Sequence, residues 1–259
     1  MEIEIDLNKT IEENATSYFE KSKLAKKKMN GLKKAIKITQ KLAEKKIIVS
    51  KKEIKKQKWF EKYRWFFTSD GLLVVGGKTA QQNEEIVKKR MDKKDIYFHA
   101  EVYGAPHCVI KLSESKLSNV PAQSMAEVAQ FAVTFSKAFE TGQSSADAYS
   151  VKPDQVSKRA PSGTSLGTGA FMIYGERNWF RTTPLSCAIG YLSNDKILMA
   201  GPVSAVKRKC IHVFELNFGT IEKNKTAKLL QEKYNEKGLN FSNEEILSLL
   251  PNGKFEIGD

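Results

Sequence analysis

The chain has 259 residues, of which 41% are hydrophobic and 28% charged, a composition that excludes an intrinsically disordered protein and allows one large domain or two smaller ones. Its formal net charge is +13, and residues 21–58 hold 16 lysines against two acids, Glu44 and Glu53, so this stretch accounts for the whole excess. Such a run predicts a polyanionic partner, with a solvated lysine-rich helix face or acidic membrane lipid as alternatives.

Two further features concern the cellular compartment. No apolar run is long enough to span a bilayer, and the acidic, apolar N-terminus lacks a signal-peptide pattern. Cys108, Cys187 and Cys210 stand in apolar, strand-like runs, which favours buried thiols over disulfides. We expect a cytoplasmic protein.

The first predicted element is a basic arm over residues 1–58. A weak heptad seam runs along it and predicts a coiled-coil helix that needs a partner. The run Ile47-Ile48-Val49 leaves two alternatives open, a single helix with a register change or a helical hairpin. The abrupt start of the seam suggests a piece of a longer protein. The seam consists of Ile11, Ala15, Tyr18, Ser22, Ala25, Met29, Leu32, Ile36, Thr39 and Ala43.

Residues 59–259 predict an α+β domain with a mostly antiparallel sheet and packed helices, because short strands follow one another with few crossover helices between them. Asp70-Gly71 marks a hairpin turn, and an amphipathic helix is expected from about 121 to 142. The predicted strands lie at 65–68, 72–75, 95–104, 106–112, 170–175, 187–192, 196–200 and 211–216, and the last two helices at 225–237 and 243–250.

The sequence Gly-Gly-Lys-Thr at 76–79 follows an apolar strand and invites comparison with a phosphate loop. That motif needs a glycine at the position of Leu72, so nucleotide hydrolysis is not expected. What remains is a tight turn leading into a helix, where Lys78, Gln82 and Asn83 are displayed and hold a phosphate without catalysis.

Strand alternation from 95 to 103 predicts one polar face. A polar binding face is the favoured interpretation. The alternative is that these are ordinary buried or paired groups without a binding role. A general-base or metal centre at Asp95, His99 and Glu101 is a third interpretation, disfavoured because alternate side chains on a strand lie about 7 Å apart. That face comprises Asp95, Tyr97, His99, Glu101 and Tyr103.

The stretch 155–180 combines a flexible, hydroxyl-rich and basic loop with an aromatic plane. Loops of this kind offer amides and hydroxyls to phosphate oxygens, and Arg177 with Trp179 is suited to stacking on an unpaired base. A plain surface loop followed by a turn is the alternative. The loop contains Ser157, Lys158, Arg159, Ser162, Gly163, Thr164, Ser165, Gly167, Thr168 and Gly169.

These motifs, in this order, resemble the C-terminal part of the NFACT proteins, a family that includes eukaryotic NEMF and the RqcH-like proteins of bacteria and archaea. The similarity starts at 5–7 and 14–15 and continues through four segments, 58–89, 95–105, 156–173 and 201–209. The domain resembles NFACT-R, an RNA-binding domain, whereas the family's NFACT-N domain has no counterpart here.

The resemblance implies a factor of ribosome-associated quality control. It implies recognition of large ribosomal subunits carrying stalled peptidyl-tRNA, recruitment of tRNA for C-terminal tailing, and recruitment of an E3 ubiquitin ligase. The expected partners are therefore the large subunit, rRNA and tRNA, and the ligase, with no membrane.

We therefore expect a non-enzymatic RNA- and ribosome-binding module without cofactor or metal. The alternatives are a metal-dependent nuclease centred on Asp95, His99 and Glu101, and a protein-interaction scaffold that acts through the coiled coil. The predicted nucleic-acid-binding residues are Lys78, Gln82, Asn83, Asp95, His99, Lys158, Arg159, Arg177, Trp179, Lys207 and Arg208.

Overall fold

The computed structural model describes residues 4–50, 58–159 and 165–258. The chain divides into two units, Met1–Gln57 and Lys58–Asp259. In the part that is described, no helix is long and apolar enough to cross a membrane.

The described residues of the first unit form one helix, α1 (Ile11–Ser50), preceded by a short non-helical segment. Thr10 caps it, since the Glu13 amide donates to Thr10 Oγ1 at 3.2 Å and the Thr10 amide donates to Glu13 Oε2 at 2.8 Å. The helix continues through residues 47–49, so the structure shows a single helix over this run and no turn within it. The seam residues Ile11 and Leu32 are 87% and 62% exposed.

The second unit contains twelve strands among its described residues, and every pairing between them is antiparallel. One sheet has six strands in the order β1-β2-β4-β3-β5-β8, one has four in the order β10-β9-β11-β12, and β6 pairs with β7. The strands are β1 (Arg64–Phe67), β2 (Leu73–Gly76), β3 (Ile96–Ala100), β4 (Cys108–Ile110), β5 (Ser145–Val151), β6 (Val156–Ser157), β7 (Met172–Ile173), β8 (Asn178–Pro184), β9 (Cys187–Leu192), β10 (Ile197–Gly201), β11 (Ile211–Glu222) and β12 (Lys254–Gly258).

The helices of this unit pack against the sheets. α3 lies on β3, β5 and β8, α5 packs against β9, and α6 packs against β11 and α7. A short π-helical turn, Ile86–Arg90, extends α2, and a 3₁₀ turn, Pro153–Gln155, precedes β6. The helices are α2 (Ala80–Glu85), α3 (Ala122–Thr134), α4 (Lys137–Glu140), α5 (Val203–Lys209), α6 (Lys223–Glu236) and α7 (Asn243–Leu249). The predicted α+β class with antiparallel sheets and packed helices is confirmed.

The long helix predicted over 121–142 is interrupted. It ends at Thr134, and Ser136 begins a new turn because its Oγ accepts from the Ala138 amide at 3.1 Å. A serine that caps the following turn competes with continuation of the preceding helix. This break separates two hydrophobic cores, one between α3 and the six-stranded sheet and one between α6, α7 and the four-stranded sheet.

Candidate nucleic-acid interface

The turn after β2 fixes the position of Lys78. The Thr79 hydroxyl accepts from the Gln82 amide at 3.3 Å, and Gln82 Oε1 accepts from the Lys78 amide at 2.9 Å. A Cβ on Gly77 would lie 2.0 Å from Asn83 Oδ1, so only glycine permits this approach. Gln82 therefore holds the turn, and Lys78 stands at the rim of the neighbouring cleft.

This cleft has a volume of about 530 Å³ and lies between the start of α2, the end of β3 and the segment 169–171. It brings together three predicted residues, Lys78, Asn83 and His99. Asn83 also links α2 to the segment before β4, because its Oδ1 accepts from the His107 amide at 3.2 Å. The cleft further contains Tyr97, Tyr103, His107, Tyr149 and Phe171.

Two histidines form one wall of the cleft. The ring centroids of His99 and His107 are 4.5 Å apart. His107 Nδ1 shares a 2.7 Å hydrogen bond with the Tyr97 hydroxyl, and His99 Nδ1 shares one of 3.2 Å with the Pro106 carbonyl. The wall therefore presents flat, polar rings held in fixed orientations.

The environment keeps both imidazoles neutral at physiological pH. Burial lowers the pKa of His99. Burial, followed by the electrostatic effects of the neighbouring His99 ring and the Lys158 ammonium, lowers the pKa of His107 to about 3. Burial also lowers the pKa of Lys78, with the charge of Arg64 as a second cause. The cleft thus combines neutral hydrogen-bonding rings with a cationic rim, a combination suited to a polyanion that carries bases.

His107 predicts a pH dependence of stability. A neutral histidine with a pKa of about 3 in the fold binds its proton only after unfolding, so stability is present above about pH 6.5 and is lost as pH falls towards 3. Between about pH 7.5 and 5 this one group removes about 2 kcal/mol. His107→Gln should show a correspondingly smaller loss in urea titrations at the two pH values. An identical loss in both proteins would contradict the assignment.

An aromatic row crosses three neighbouring strands beside the cleft. Tyr149 pairs with His99 on one side and with Trp179 on the other. The Arg177 guanidinium lies 4.5 Å from the Tyr149 ring centroid, and Arg181 lies 3.8 Å from that of Trp179. The Trp179 ring is half-buried, and the Arg181 guanidinium lies against one face of it. A base that stacks on this ring would therefore pack together with Arg181 or displace it.

Lys158, a predicted nucleic-acid contact, makes several contacts inside the fold. Its ammonium donates to Gly167 O at 2.7 Å and to Ala170 O at 3.1 Å, and it pairs with Glu84 at 3.1 Å. Lys158 thus holds the end of the loop against α2, whereas Arg159 is exposed. Ser162, Gly163 and Thr164, predicted as phosphate contacts, lie outside the described residues.

Asp95 requires a correction. Its side chain is 0% exposed and pairs with the buried ammonium of Lys111, which also binds Asp92 at 2.7 Å. The Asp92 and Ser113 amides donate to its two oxygens at 2.8 and 3.0 Å. Both carboxylate oxygens are engaged inside the fold, so Asp95 is a buried structural residue.

The proposed nuclease centre does not assemble either. Glu101 lies beyond the end of β3, where it accepts from Arg177 at 2.6 Å, while Asp95 is bound to Lys111. Among the residues that the structure describes, no three His, Cys, Asp or Glu side chains are grouped so that they could hold a metal. Asp95, His99 and Glu101 therefore offer no convergent ligand set.

Lys207 and Arg208 lie apart from the cleft lining, on α5. Lys207 pairs with Glu215, and both basic side chains are exposed. Sequence reasoning missed Tyr149 and Phe171, which line the cleft. A strand prediction around Tyr149 would have found the first. The segment gives only a weak strand signal, because Ala148 precedes Tyr149 but Ser150 separates it from Val151.

A known protein family matches the part of the chain that contains the cleft residues. Residues 62–175 match the family described as NFACT protein RNA binding domain. The match includes the turn at Lys78, both cleft histidines, Tyr149 and Lys158.

Curated relatives extend the similarity over most of the chain. An archaeal Rqc2 homolog, aRqcH, from Methanocaldococcus jannaschii is 41% identical, covering 78% of this chain and 29% of that protein. The ribosome quality control complex subunit NEMF of Homo sapiens is 35% identical, covering 69% of this chain and 17% of its own length. The ribosome quality control complex subunit NEMF homolog of Drosophila melanogaster is 35% identical, covering 73% of this chain and 20% of that protein. The chain thus spans less than a third of these relatives.

Among solved structures, the C-terminal part of the fibronectin/fibrinogen-binding protein from Streptococcus suis superposes with a TM-score of 0.39. The superposition covers 52% of this chain and 49% of that one at 22% identity.

Proposed function

We propose a function on the premise that the chain belongs to the NFACT family. The support for this premise is that residues 62–175 match the NFACT protein RNA binding domain. The proposed function is RNA binding in ribosome quality control, without turnover of the RNA. The observation that carries it is the cleft in which Lys78, Asn83 and the neutral His99 meet inside the matched region. Lys158 and Arg159 stand on the loop beside it.

The chemistry of the cleft favours RNA over a small metabolite. Its rim is cationic, its wall consists of planar rings, and the aromatic row with two guanidinium groups continues from it along the sheet. Single-stranded or looped RNA offers phosphates and unstacked bases at spacings that such a surface meets. Rings with fixed hydrogen bonds lose little conformational freedom on binding a base.

The finer role follows the family. We propose that the whole protein recognises large ribosomal subunits that carry stalled peptidyl-tRNA, in the cytoplasm, and supports tRNA recruitment for C-terminal tailing and recruitment of an E3 ubiquitin ligase. The names of the human, fly and archaeal relatives, which refer to the ribosome quality control complex or to Rqc2, support this assignment. The lysines of α1 add a second cationic surface for ribosomal RNA.

RNA binding by the full chain tests the proposal. We expect fluorescence anisotropy with labelled tRNA and with a single-stranded oligonucleotide to show affinity that falls steeply between about 50 and 200 mM salt. His99→Asn should weaken binding, whereas His212→Asn, at an exposed position outside the cleft, should not. Salt-independent binding, or none, would favour the protein-interaction scaffold, and His99-dependent RNA cleavage would favour the nuclease.

A further inference from the structure

Three cations, Arg64, Lys137 and Lys223, come from segments that pack near the cleft residues Lys78 and Tyr103, and sequence reasoning singled out only Lys78 among these four cations. Arg64 pairs across the β1–β2 ladder with Gly76, two residues before Lys78, and its guanidinium lies 4.7 Å from the Phe135 ring centroid. Lys137 follows Phe135 closely, and its ammonium lies 4.9 Å from the ring centroid of Tyr103, a cleft residue. The break between α3 and α4 thus brings a lysine to the cleft rim.

Lys223 reaches the same region from the second core. Its ammonium donates to Leu250 O at 3.0 Å and to Asn252 Oδ1 at 3.1 Å. The next residue, Gly253, packs against α4, since a Cβ there would lie 3.1 Å from Phe139 Cδ1 and 3.2 Å from Glu140 Cα. The loop that holds Lys223 therefore lies beside the helix that begins with Lys137.

None of the four cations has a carboxylate oxygen within 4.0 Å among the residues with described positions. The acid next to Lys223, Glu222, pairs with Lys254 at 3.2 Å instead. Arg64, Lys78 and Lys223 are nevertheless half-buried. Partly desolvated cations are normally paired in a folded protein, so this group lacks the anion that its burial calls for.

Three of the four charges, those of Arg64, Lys78 and Lys223, repel one another. Burial, followed by the charges of Arg64 and Lys78, lowers the pKa of Lys223 to about 8. Burial lowers the pKa of Arg64 to about 10, and burial with the charge of Arg64 lowers that of Lys78. An anion placed among them would remove the repulsion and favour the charged forms.

We propose that Arg64, Lys78, Lys137 and Lys223 form a binding site for a phosphate group of the RNA chain, an assignment that depends on the RNA-binding function proposed above. A phosphodiester fits the group because a guanidinium and ammonium ions from three separate segments converge on a single anion. The site anchors the RNA backbone at one end of the cleft, so that bases reach the histidine wall and the aromatic row.

Methionine substitutions in the full chain test the site, since they keep the length of the side chain and remove its charge. We expect Lys78→Met with Lys223→Met to lower the affinity for a labelled single-stranded RNA by about ten- to a hundredfold at about 0.1 M salt, and to reduce the salt slope by about one. Lys225→Met is the matched control, an exposed lysine on the same helix, and should change neither.

The outcomes separate the site from the function. If the double variant and the control both bind RNA as the wild type does, the phosphate site is wrong while RNA binding stands. If the wild type binds no RNA, the proposed function itself fails. If inorganic phosphate at constant ionic strength raises the melting temperature of the wild type but not of the double variant, and RNA affinity is the same in both, the ligand is free phosphate.

The pH dependence of RNA affinity distinguishes a phosphate-binding role of Lys223 from a purely structural one. Lys223 faces Arg64, Lys78, the Leu250 carbonyl and Asn252. Because a lysine with a pKa of about 8 is mostly charged at pH 7 and mostly neutral at pH 9, RNA affinity should fall about tenfold between these values. Lys223→Arg keeps its charge and should largely abolish the fall, and an equal fall in both proteins would overturn the assignment.

Discussion

Lys111→Met is expected to lower the free energy of unfolding by about 3–5 kcal/mol, because it leaves the fully buried carboxylate of Asp95 without its cation. The Lys111 side chain is 1% exposed and bridges Asp92 and Asp95, which precede β3. The substitution preserves the aliphatic volume, so the lost charge dominates the effect. Chemical denaturation of the full chain, followed by far-UV circular dichroism, measures the change.

Two controls identify the cause of this loss. Adding Asp95→Asn to Lys111→Met removes the unpaired charge and should recover part of the stability. Lys62→Met breaks the exposed pair with Glu85, whose side chains are 47% and 29% exposed, and should cost less than about 1 kcal/mol. If Lys111→Met were as mild as Lys62→Met, the structural role of Asp95 would be refuted and its predicted role in RNA binding would return.

Neutralising the helical arm is expected to give the largest loss of RNA affinity. Replacing five exposed lysines of α1 by glutamine should weaken binding about a hundredfold at about 0.1 M salt, because each lysine that meets a phosphate contributes about 0.7 to the salt slope on single strands. Glutamine has nearly the helix propensity of lysine, so α1 persists. The five residues are Lys26, Lys27, Lys28, Lys33 and Lys34.

The matched control replaces the same five lysines by arginine, which retains the charge and should bind RNA at least as tightly as the wild type. Anisotropy titrations at three salt concentrations measure affinity and slope together. Unchanged affinity and slope in the glutamine variant would remove α1 from the RNA-binding surface. In that case the arm would be assigned to protein interaction, as the exposed seam residues Ile11 and Leu32 allow.

Local patterns were sufficient for much of the fold. The hairpin of β1 and β2 was predicted because Asp70-Gly71 separates two apolar runs. The last helix was predicted at 243–250 and is observed as α7, where Ser242 and Glu245 form a capping box. By contrast, β5 and β8 were missed as strands. β5 reads Ser-Ala-Asp-Ala-Tyr-Ser-Val, and it is held by pairing with β3 and β8, which are distant in sequence. Such pairing leaves little signal in one segment.

The same distinction applies to the site. Lys78 and His99 were predicted because a turn and a strand present them, and both line the cleft. Asp95 and Lys158 were assigned to RNA because their contacts inside the fold were not predicted. Their partners, Lys111 and Glu84, lie 16 and 74 residues away in the sequence. Arg64, Lys137 and Lys223 come from three separate segments, and no spacing rule connects them. Convergence of this kind is visible only after folding.

Ultraviolet cross-linking of the full chain to RNA, with mapping of the cross-linked peptides, tests most directly whether RNA lies along the cleft. We expect cross-links in the cleft segments 76–84 and 97–107 and at the aromatic row, residues 149 and 177–181, all reduced in Lys78→Met with Lys223→Met. Cross-links confined to α6 and α7, or unaffected by that double variant, would contradict an RNA-binding surface at this cleft.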